Sequence, residues 1–229
     1  MTRRKETIRL SAVALLLLGA GVGAAGAVDV RGEVRSDQAS EADAIDAVRT
    51  PYWREWNGFL PPRENKVDVS REVTVALIGN ASARDAVTVE FSGGALSPST
   101  IVVEQGSTLR VRNLDDSAHR LYAEGLEKFD PVDTSAGQMR EVRMLQTGSF
   151  PLRDALAPHV KGHLHVLAKV TAAQNPRSDG RFVFENINPG TYELKVFHGA
   201  DEVRSESVEV KDKREFVIAP ISLPKKRAK

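Results

Sequence analysis

Residues 100–119 have the sequence TIVVEQGSTLRVRNLDDSAH. Ile101 and Val103 stand two positions apart before Gly106, and Leu109 and Val111 stand two positions apart after it. An apolar residue at every second position is typical of a β-strand with one buried face, and a glycine between two such runs favours a turn. This stretch therefore predicts a strand, a turn and a second strand.

The same alternation extends from this stretch in both directions. Upstream it covers two further runs, Val73, Val75 and Leu77, then Val87, Val89 and Phe91. Clusters of Gly, Asn, Asp and Ser separate the runs at 79–80, 93–94 and 113–117, where turns are expected. Short alternating strands joined by such turns predict an antiparallel β-sandwich over residues 67–170.

A second alternating block follows at residues 179–224. Its apolar positions are Phe182, Phe184, Tyr192, Leu194, Val196, Val208, Val210, Phe216 and Ile218. Residues 171–178 precede it and read as a linker. About 50 residues give a thin core, so we expect this block to pack against the first sandwich or to take a strand from residues 28–34. The predicted fold class is all-β, with two β-sandwich modules and an N-terminal extension.

The N-terminus has the pattern of a secretory signal peptide. Arg3, Arg4 and Lys5 precede an apolar run at 10–23, and Ala25-Gly26-Ala27 resembles a processing site. Cleavage after residue 27 would change the formal charge from +1 to −2, because four basic residues and one acidic residue are removed. The chain has no cysteine, which excludes a lipoprotein anchor. We expect a periplasmic or secreted protein with no transmembrane segment once the signal is removed.

Charge also bears on the partner. The one dense basic run is the tail at residues 225–229, and a protein of net charge −2 lacks the concentrated Lys and Arg that phosphate backbones require. Nucleic acid is therefore not an expected partner. The expected partner is an unknown envelope protein or a glycan.

The extension at residues 28–66 contains an acidic, alanine-containing stretch after Ser40, which predicts a short helix. It also gathers four large aromatic residues, Tyr52, Trp53, Trp56 and Phe59. Two interpretations are open. The rings could form a latch over a sheet face or edge, or they could be an exposed surface that stacks on sugars or peptides.

Residues 100–119 and 157–166 together resemble parts of a cupredoxin. In that family, a strand, a glycine turn and an N-x-D-x-x-x-H run present the first copper-binding histidine, here His119. A later loop has Cys-x-x-His, and His159 matches its histidine. The resemblance covers about residues 70–170 and implies a Greek-key sandwich with both histidines at one end. Counting back three from His159 gives Leu156 in place of the cysteine, and no methionine follows in the loop. A blue-copper centre depends on that thiolate, so its electron-transfer function is not expected here.

The C-terminal block resembles the carboxypeptidase regulatory-like module, which is a small prealbumin-like (transthyretin-like) sandwich. Asp179-Gly180-Arg181-Phe182 and Asn188-Pro189-Gly190-Thr191-Tyr192 carry this resemblance. The order of the two modules is similar to that of exported proteins described as methylamine-utilisation-like. Modules of the second kind lack active-site residues of their own.

Histidines give the one candidate metal site. His119, His159 and His163 could hold Zn²⁺ or Cu²⁺, with Asp115, Asp116 or Asp154 completing the ligand set. Alternatively they make ordinary hydrogen bonds at the end of the sandwich. His165 and His198 are expected to make structural contacts.

No hydrolase elbow, metalloprotease helix or phosphate-binding glycine loop is present in the sequence. We therefore expect a non-catalytic binding or structural protein of the cell envelope that needs no cofactor. The alternatives are a histidine-based copper or zinc protein and a carbohydrate-binding accessory protein.

Overall fold

The computed structural model describes residues 26–36, 67–79, 86–211 and 213–224, and nearly all regular structure in them is β. In chain order the elements are β1 (Val28–Ser36), α1 (Val69–Glu72), β2 (Val73–Ile78), β3 (Val87–Ser92), β4 (Ala95–Ser97), β5 (Thr100–Glu104), β6 (Thr108–Asn113), β7 (Leu121–Ala123), β8 (Met139–Arg143), β9 (Gly148–Asp154), β10 (Lys161–Leu167), β11 (Ala172–Gln174), β12 (Arg181–Ile187), β13 (Gly190–His198), β14 (Asp201–Val210), β15 (Glu215–Val217) and β16 (Ile221–Leu223). The all-β fold class is confirmed.

The first sandwich consists of sheets β4-β3-β6-β8 and β5-β10-β9-β7. The strand, turn and strand predicted from residues 100–119 are β5, the turn at Gly106 and β6. Along β6, buried and exposed residues alternate as the sequence predicts. The inward residues of the two sheets form one core, which includes Phe91, Leu109, Val111 and Leu164.

The second sandwich consists of sheet β11-β2-β13-β14 and a sheet in which β1 lies between β12 and the C-terminal strands β15 and β16. Val30 pairs with Phe184 in the antiparallel ladder and with Phe216 in the parallel one. Val28 and Val30 are fully buried. The prediction that the second block takes a strand from the N-terminus is therefore confirmed.

Strand β2 differs from its prediction, which assigned residues 73–77 to the first sandwich. It pairs with β11 and β13 of the second sandwich, and Val75 and Leu77 belong to that core. Its other face also packs, because Ala76 joins Val102 and Phe197 in a small cluster between the modules. Alternation identifies the residues that share a face, but not the core that the face covers.

This pairing makes the second sandwich discontinuous in sequence. Strands β1 and β2 precede the first sandwich, β3–β10, and strands β11–β16 follow it. The stretch at residues 171–178, predicted as a linker, contains β11. The first sandwich is thus an insertion between two strands, β2 and β11, that pair with each other.

Polar groups join the modules beside the apolar cluster. Thr74 Oγ1 donates to Thr100 O at 2.6 Å, and Thr100 Oγ1 donates to Glu72 O at 2.6 Å. The side-chain amide of Asn175 donates to Val73 O of β2 at 2.6 Å and to Thr100 O of β5 at 3.3 Å. Because buried backbone carbonyls need donors, these bonds hold β2 against β5.

Three predicted features lie outside the described residues: the signal segment up to residue 25, the extension at 37–66 with its short helix and aromatic cluster, and the basic tail at 225–229. No helix in the described part of the chain has the length and apolar character needed to cross a membrane.

Candidate functional site

His119 lies in the loop between β6 and β7, at one end of the first sandwich. Its backbone is fixed by a two-bond bridge with Thr134, N to O at 3.1 Å and O to N at 2.8 Å. Its ring stacks on Phe91 with centroids 3.9 Å apart and planes only 4° apart. The side chain is almost completely buried, so every polar atom of the ring needs a protein partner.

Asp115 provides the first of these partners. Its Oδ2 lies 3.1 Å from His119 Nε2. The two carboxylate oxygens also accept from Gly93 N at 2.6 Å and Gly94 N at 2.9 Å. Both glycines have positive φ values, 62° and 72°, which other residues rarely adopt. The Gly94 amide, followed by the Gly93 amide and His119, holds the pKa of Asp115 below its usual value.

Asp154 provides the second partner, from the end of β9. Its Oδ2 lies 2.7 Å from His119 Nδ1, and its Oδ1 accepts from the backbone amides of Leu156, Ala157 and Arg120 at 2.8, 3.1 and 3.2 Å. Burial favours the neutral acid, but these hydrogen bonds outweigh it and the pKa of Asp154 lies below its usual value. The carboxylate is therefore ionised at neutral pH.

Both ring nitrogens of His119 thus face carboxylate oxygens. An ionised carboxylate can only accept hydrogen bonds, so a ring nitrogen that carries a hydrogen donates to the carboxylate beside it. The geometry therefore gives each ring nitrogen of His119 a carboxylate partner. We call these three residues the rim triad: Asp115, His119 and Asp154.

His159 lies beside the rim triad and is exposed to solvent. Its Nε2 is 3.1 Å from Gly94 O, while the amide of the same glycine donates to Asp115. The loops of His119 and His159 were expected to converge, and this arrangement agrees with that expectation. His159 bonds Gly94 directly, and His119 bonds Asp115, which accepts from the amide of Gly94. Asp116, the third acidic residue suggested as a ligand, is exposed.

Leu156, the residue at the expected cysteine position, does not lie in the core. Leu156 is 48% exposed, whereas Asp154 is buried against His119. Phe150, Leu152 and Asp154 form the inward series of β9. This series was the sequence signal for an ionisable residue in the core, and the loop to His159 is longer than the count assumed.

The other three histidines lie at the junction between the modules. His163 donates its backbone amide to Ser99 O, its ring lies 6.3 Å from that of His165, and burial lowers its pKa. His165 bonds Gly199 O at 2.8 Å. His198 Nε2 lies 3.4 Å from Glu72 Oε2. The structure thus groups His163 with His165, while His119 and His159 meet at the rim.

No metal-binding group of three or more His, Cys, Asp or Glu side chains occurs within the described ranges. The suggested aromatic binding surface, Tyr52, Trp53, Trp56 and Phe59, lies outside them. Its two interpretations stay predictions.

Comparison with known proteins identifies the first module. No curated protein matches the chain. Solved structures that resemble it include a purple cupredoxin from Nitrosopumilus maritimus, with 16% identity, a TM-score of 0.32, and coverage of 35% of this chain and 99% of that one. Amicyanin from Paracoccus versutus has 17% identity and a TM-score of 0.33, covering 42% and 98%. A copper-containing nitrite reductase from Thermus scotoductus has 19% identity and a TM-score of 0.32, covering 35% and 22%. A family model described as a cupredoxin-like domain matches residues 71–166, so this chain contains a cupredoxin-like domain.

Proposed function

We propose that this is a non-catalytic, exported protein of the cell envelope whose cupredoxin-like domain has lost the blue-copper centre and serves recognition or assembly. One observation carries the proposal: both ring nitrogens of His119 are bonded to carboxylates, at 2.7 Å and 3.1 Å. A histidine that binds a metal must present a free lone pair on one nitrogen.

The residues present do not fit a blue-copper centre. The chain contains no cysteine, and the inward position of β9 holds the carboxylate of Asp154. Metal binding at His119 would require the loss of one of its two carboxylate bonds. His159 bonds a backbone carbonyl instead of facing His119 directly. In this proposal the rim triad has a structural role: its hydrogen bonds fix the loops at this end of the sandwich.

The same end of the sandwich offers an apolar surface. Leu114 precedes Asp115 and is 45% exposed, and Leu156, whose amide bonds Asp154, is 48% exposed. An exposed apolar patch rimmed by polar residues marks a site of protein contact. With exposed His159 they form the recognition surface of this proposal.

Metal analysis of the purified mature protein tests the loss of the centre. The protein is incubated with each ion and then dialysed against metal-free buffer. We expect neither copper nor zinc to be retained at a stoichiometric level. If one metal is retained, and is lost in the His119→Ala, His159→Ala double variant but not in His198→Ala, the alternative of a histidine-based metal protein replaces this proposal. His198 is the control because it lies at the module junction.

A paired substitution tests the recognition surface. Leu114→Asp with Leu156→Asp should abolish the capture of partners from a crosslinked envelope fraction. Val217→Asp is the matched control, because Val217 is 69% exposed on β15 of the second sandwich. Equal capture by both variants would contradict a role of this surface in recognition.

Export is proposed from the N-terminal pattern alone. If cleavage follows residue 27, the mature chain begins at Val28, which is the first residue of β1. N-terminal sequencing of the protein from the envelope fraction should therefore give Val-Asp-Val-Arg. The likeness of the second sandwich to carboxypeptidase regulatory-like modules also belongs to this proposal, as a rigid non-catalytic support.

A further inference from the structure

A second candidate site lies in a cleft between the two modules, away from the rim triad. The cleft has a volume of about 400 Å³, within the range of small-molecule sites. One wall comes from β9 and β10 of the first sandwich, and the other from β13 and the turn that leads into β14. His165 and Phe197 meet at its base, with ring centroids 4.3 Å apart.

His165 is held in one tautomer by its hydrogen bond. Its Nε2 lies 2.8 Å from Gly199 O, and a carbonyl oxygen can only accept, so Nε2 carries the hydrogen. In the neutral ring, Nδ1 then presents a lone pair. Burial lowers the pKa of His165, which agrees with a neutral ring at pH 7.

That lone pair has no partner in the protein. Among the described residues, the fully buried side-chain nitrogen and oxygen atoms without a partner are Arg71 Nε and Thr134 Oγ1. Nδ1 of His165 makes no hydrogen bond within the same described residues, yet it is not among these fully buried atoms. It is therefore accessible to solvent. Because His165 is only 3% exposed and lines the cleft, that access is from the cleft.

The surroundings select an apolar, neutral ligand. Leu167, Ala168 and Ala200 line the cleft beside the two rings, and Thr147 and Ser149 line it at the start of β9. The one charged group in the lining is Glu202, and its carboxylate accepts from Lys195 Nζ at 3.1 Å. Lys195 also pairs with Glu193 at 3.3 Å. Glu202 is already engaged in an ion pair and therefore gives a cation no unpaired carboxylate.

We infer that the cleft binds a small, planar, neutral molecule that has an apolar body and one N–H or O–H donor, which donates to Nδ1 of His165. The ring of the ligand packs on Phe197 and the aliphatic wall. This site is independent of the rim and of the function proposed for it.

Indole and 1-methylindole form a matched pair of probes, because they differ by the donor. Calorimetric titration of the full chain at pH 7.5 should show indole binding about tenfold more tightly, the factor that one net hydrogen bond gives. In ¹⁵N spectra, indole should shift the Nδ1 signal of His165. Absence of indole binding at millimolar concentration, or equal affinities for the two probes, would overturn the inference.

Two substitutions locate the effect. His165→Phe keeps a ring on Phe197 but removes the acceptor, so the ratio of the two affinities should fall to about one. His163→Phe, on the same strand but outside the cleft, should leave the ratio unchanged. Ala200→Trp, at an exposed wall position, should block both probes. A ratio that survives in His165→Phe would show that another group accepts the bond.

Discussion

Replacement of Asp154 by alanine is the most direct test of the rim triad. The side chain is fully buried, and its carboxylate accepts from His119 and from the amides of Leu156, Ala157 and Arg120. The substitution leaves the buried His119 ring with one carboxylate partner instead of two, and three amides without their acceptor. A buried group left without its hydrogen-bond partner costs about 1–3 kcal/mol, so we expect the free energy of unfolding to fall by at least about 3 kcal/mol.

The size of the loss should depend on the chemistry that replaces the carboxylate. Asp154→Asn keeps one oxygen for the backbone amides but turns an N–H₂ group towards His119, so its loss should be smaller, about 1–3 kcal/mol. Urea unfolding followed by circular dichroism measures both values. Asp133→Asn is the matched control, because Asp133 pairs with Arg120 in an exposed ion pair and its loss should leave the unfolding midpoint nearly unchanged.

The same variants carry a pH signature. The pKa values of Asp115 and Asp154 are both lowered in the folded protein, so the unfolded chain binds protons more readily. Their stabilisation is fully present above the unfolded pKa, about 3.9, and is lost as the pH falls through the folded values. The difference between the wild type and Asp154→Ala should therefore shrink in acid. A loss below about 1 kcal/mol for Asp154→Ala, or a difference that does not change with pH, would refute a stabilising role of the ionised Asp154 carboxylate.

Three further predictions concern buried positions elsewhere. Thr134→Val should leave the free energy of unfolding unchanged or raise it, because the Thr134 hydroxyl is buried without a partner. Thr74→Val should lower the free energy of unfolding by about 1 kcal/mol, because the Thr74 hydroxyl donates to a backbone carbonyl. Urea titration of both variants compares them directly. The pKa of His165 is lowered by burial, so stability should fall as the pH drops below about 6.5, and His165→Phe should reduce that slope in unfolding midpoints measured from pH 7 to 5. Val30→Asp should remove hydrogen-exchange protection from β12, β15 and β16 while β6 stays protected, because Val30 is buried between those strands; loss of protection in β6 as well would show that the two cores unfold as one.

Period-two alternation predicted β2, β3, β5 and β6, because burial in a sheet follows directly from the side chains. It did not predict β4 or β7, which have three residues each, or β8, which has one buried residue. It was not sufficient to assign β2 to a sandwich. Val75 faces the second core and Ala76 faces Val102 of the first, so both faces of β2 are covered. The same run of apolar residues is compatible with either core, and only the pairing with β13 and β11 decides between them.

The residues of the rim triad were all named from the sequence, but their arrangement was not. Asp154 was suggested as one of three acidic residues near the histidines, and the count from His159 directed attention to Leu156 instead. The alternation of Phe150, Leu152 and Asp154 on β9 would have placed the carboxylate inside. The cleft at His165 has no comparable sequence signal, because it exists only where two modules meet.

The insertion of one sandwich into the other has a consequence for how the chain folds. The strands β3–β10 find all their ladder partners among themselves, so the first sandwich can form while the rest of the chain is still being made or translocated. β1 has no ladder partner until β12, β15 and β16 follow the first sandwich in the chain, and until then its valines are not covered by a sheet. During that interval β1 is the segment that a holding chaperone would recognise and that would start aggregation in its absence.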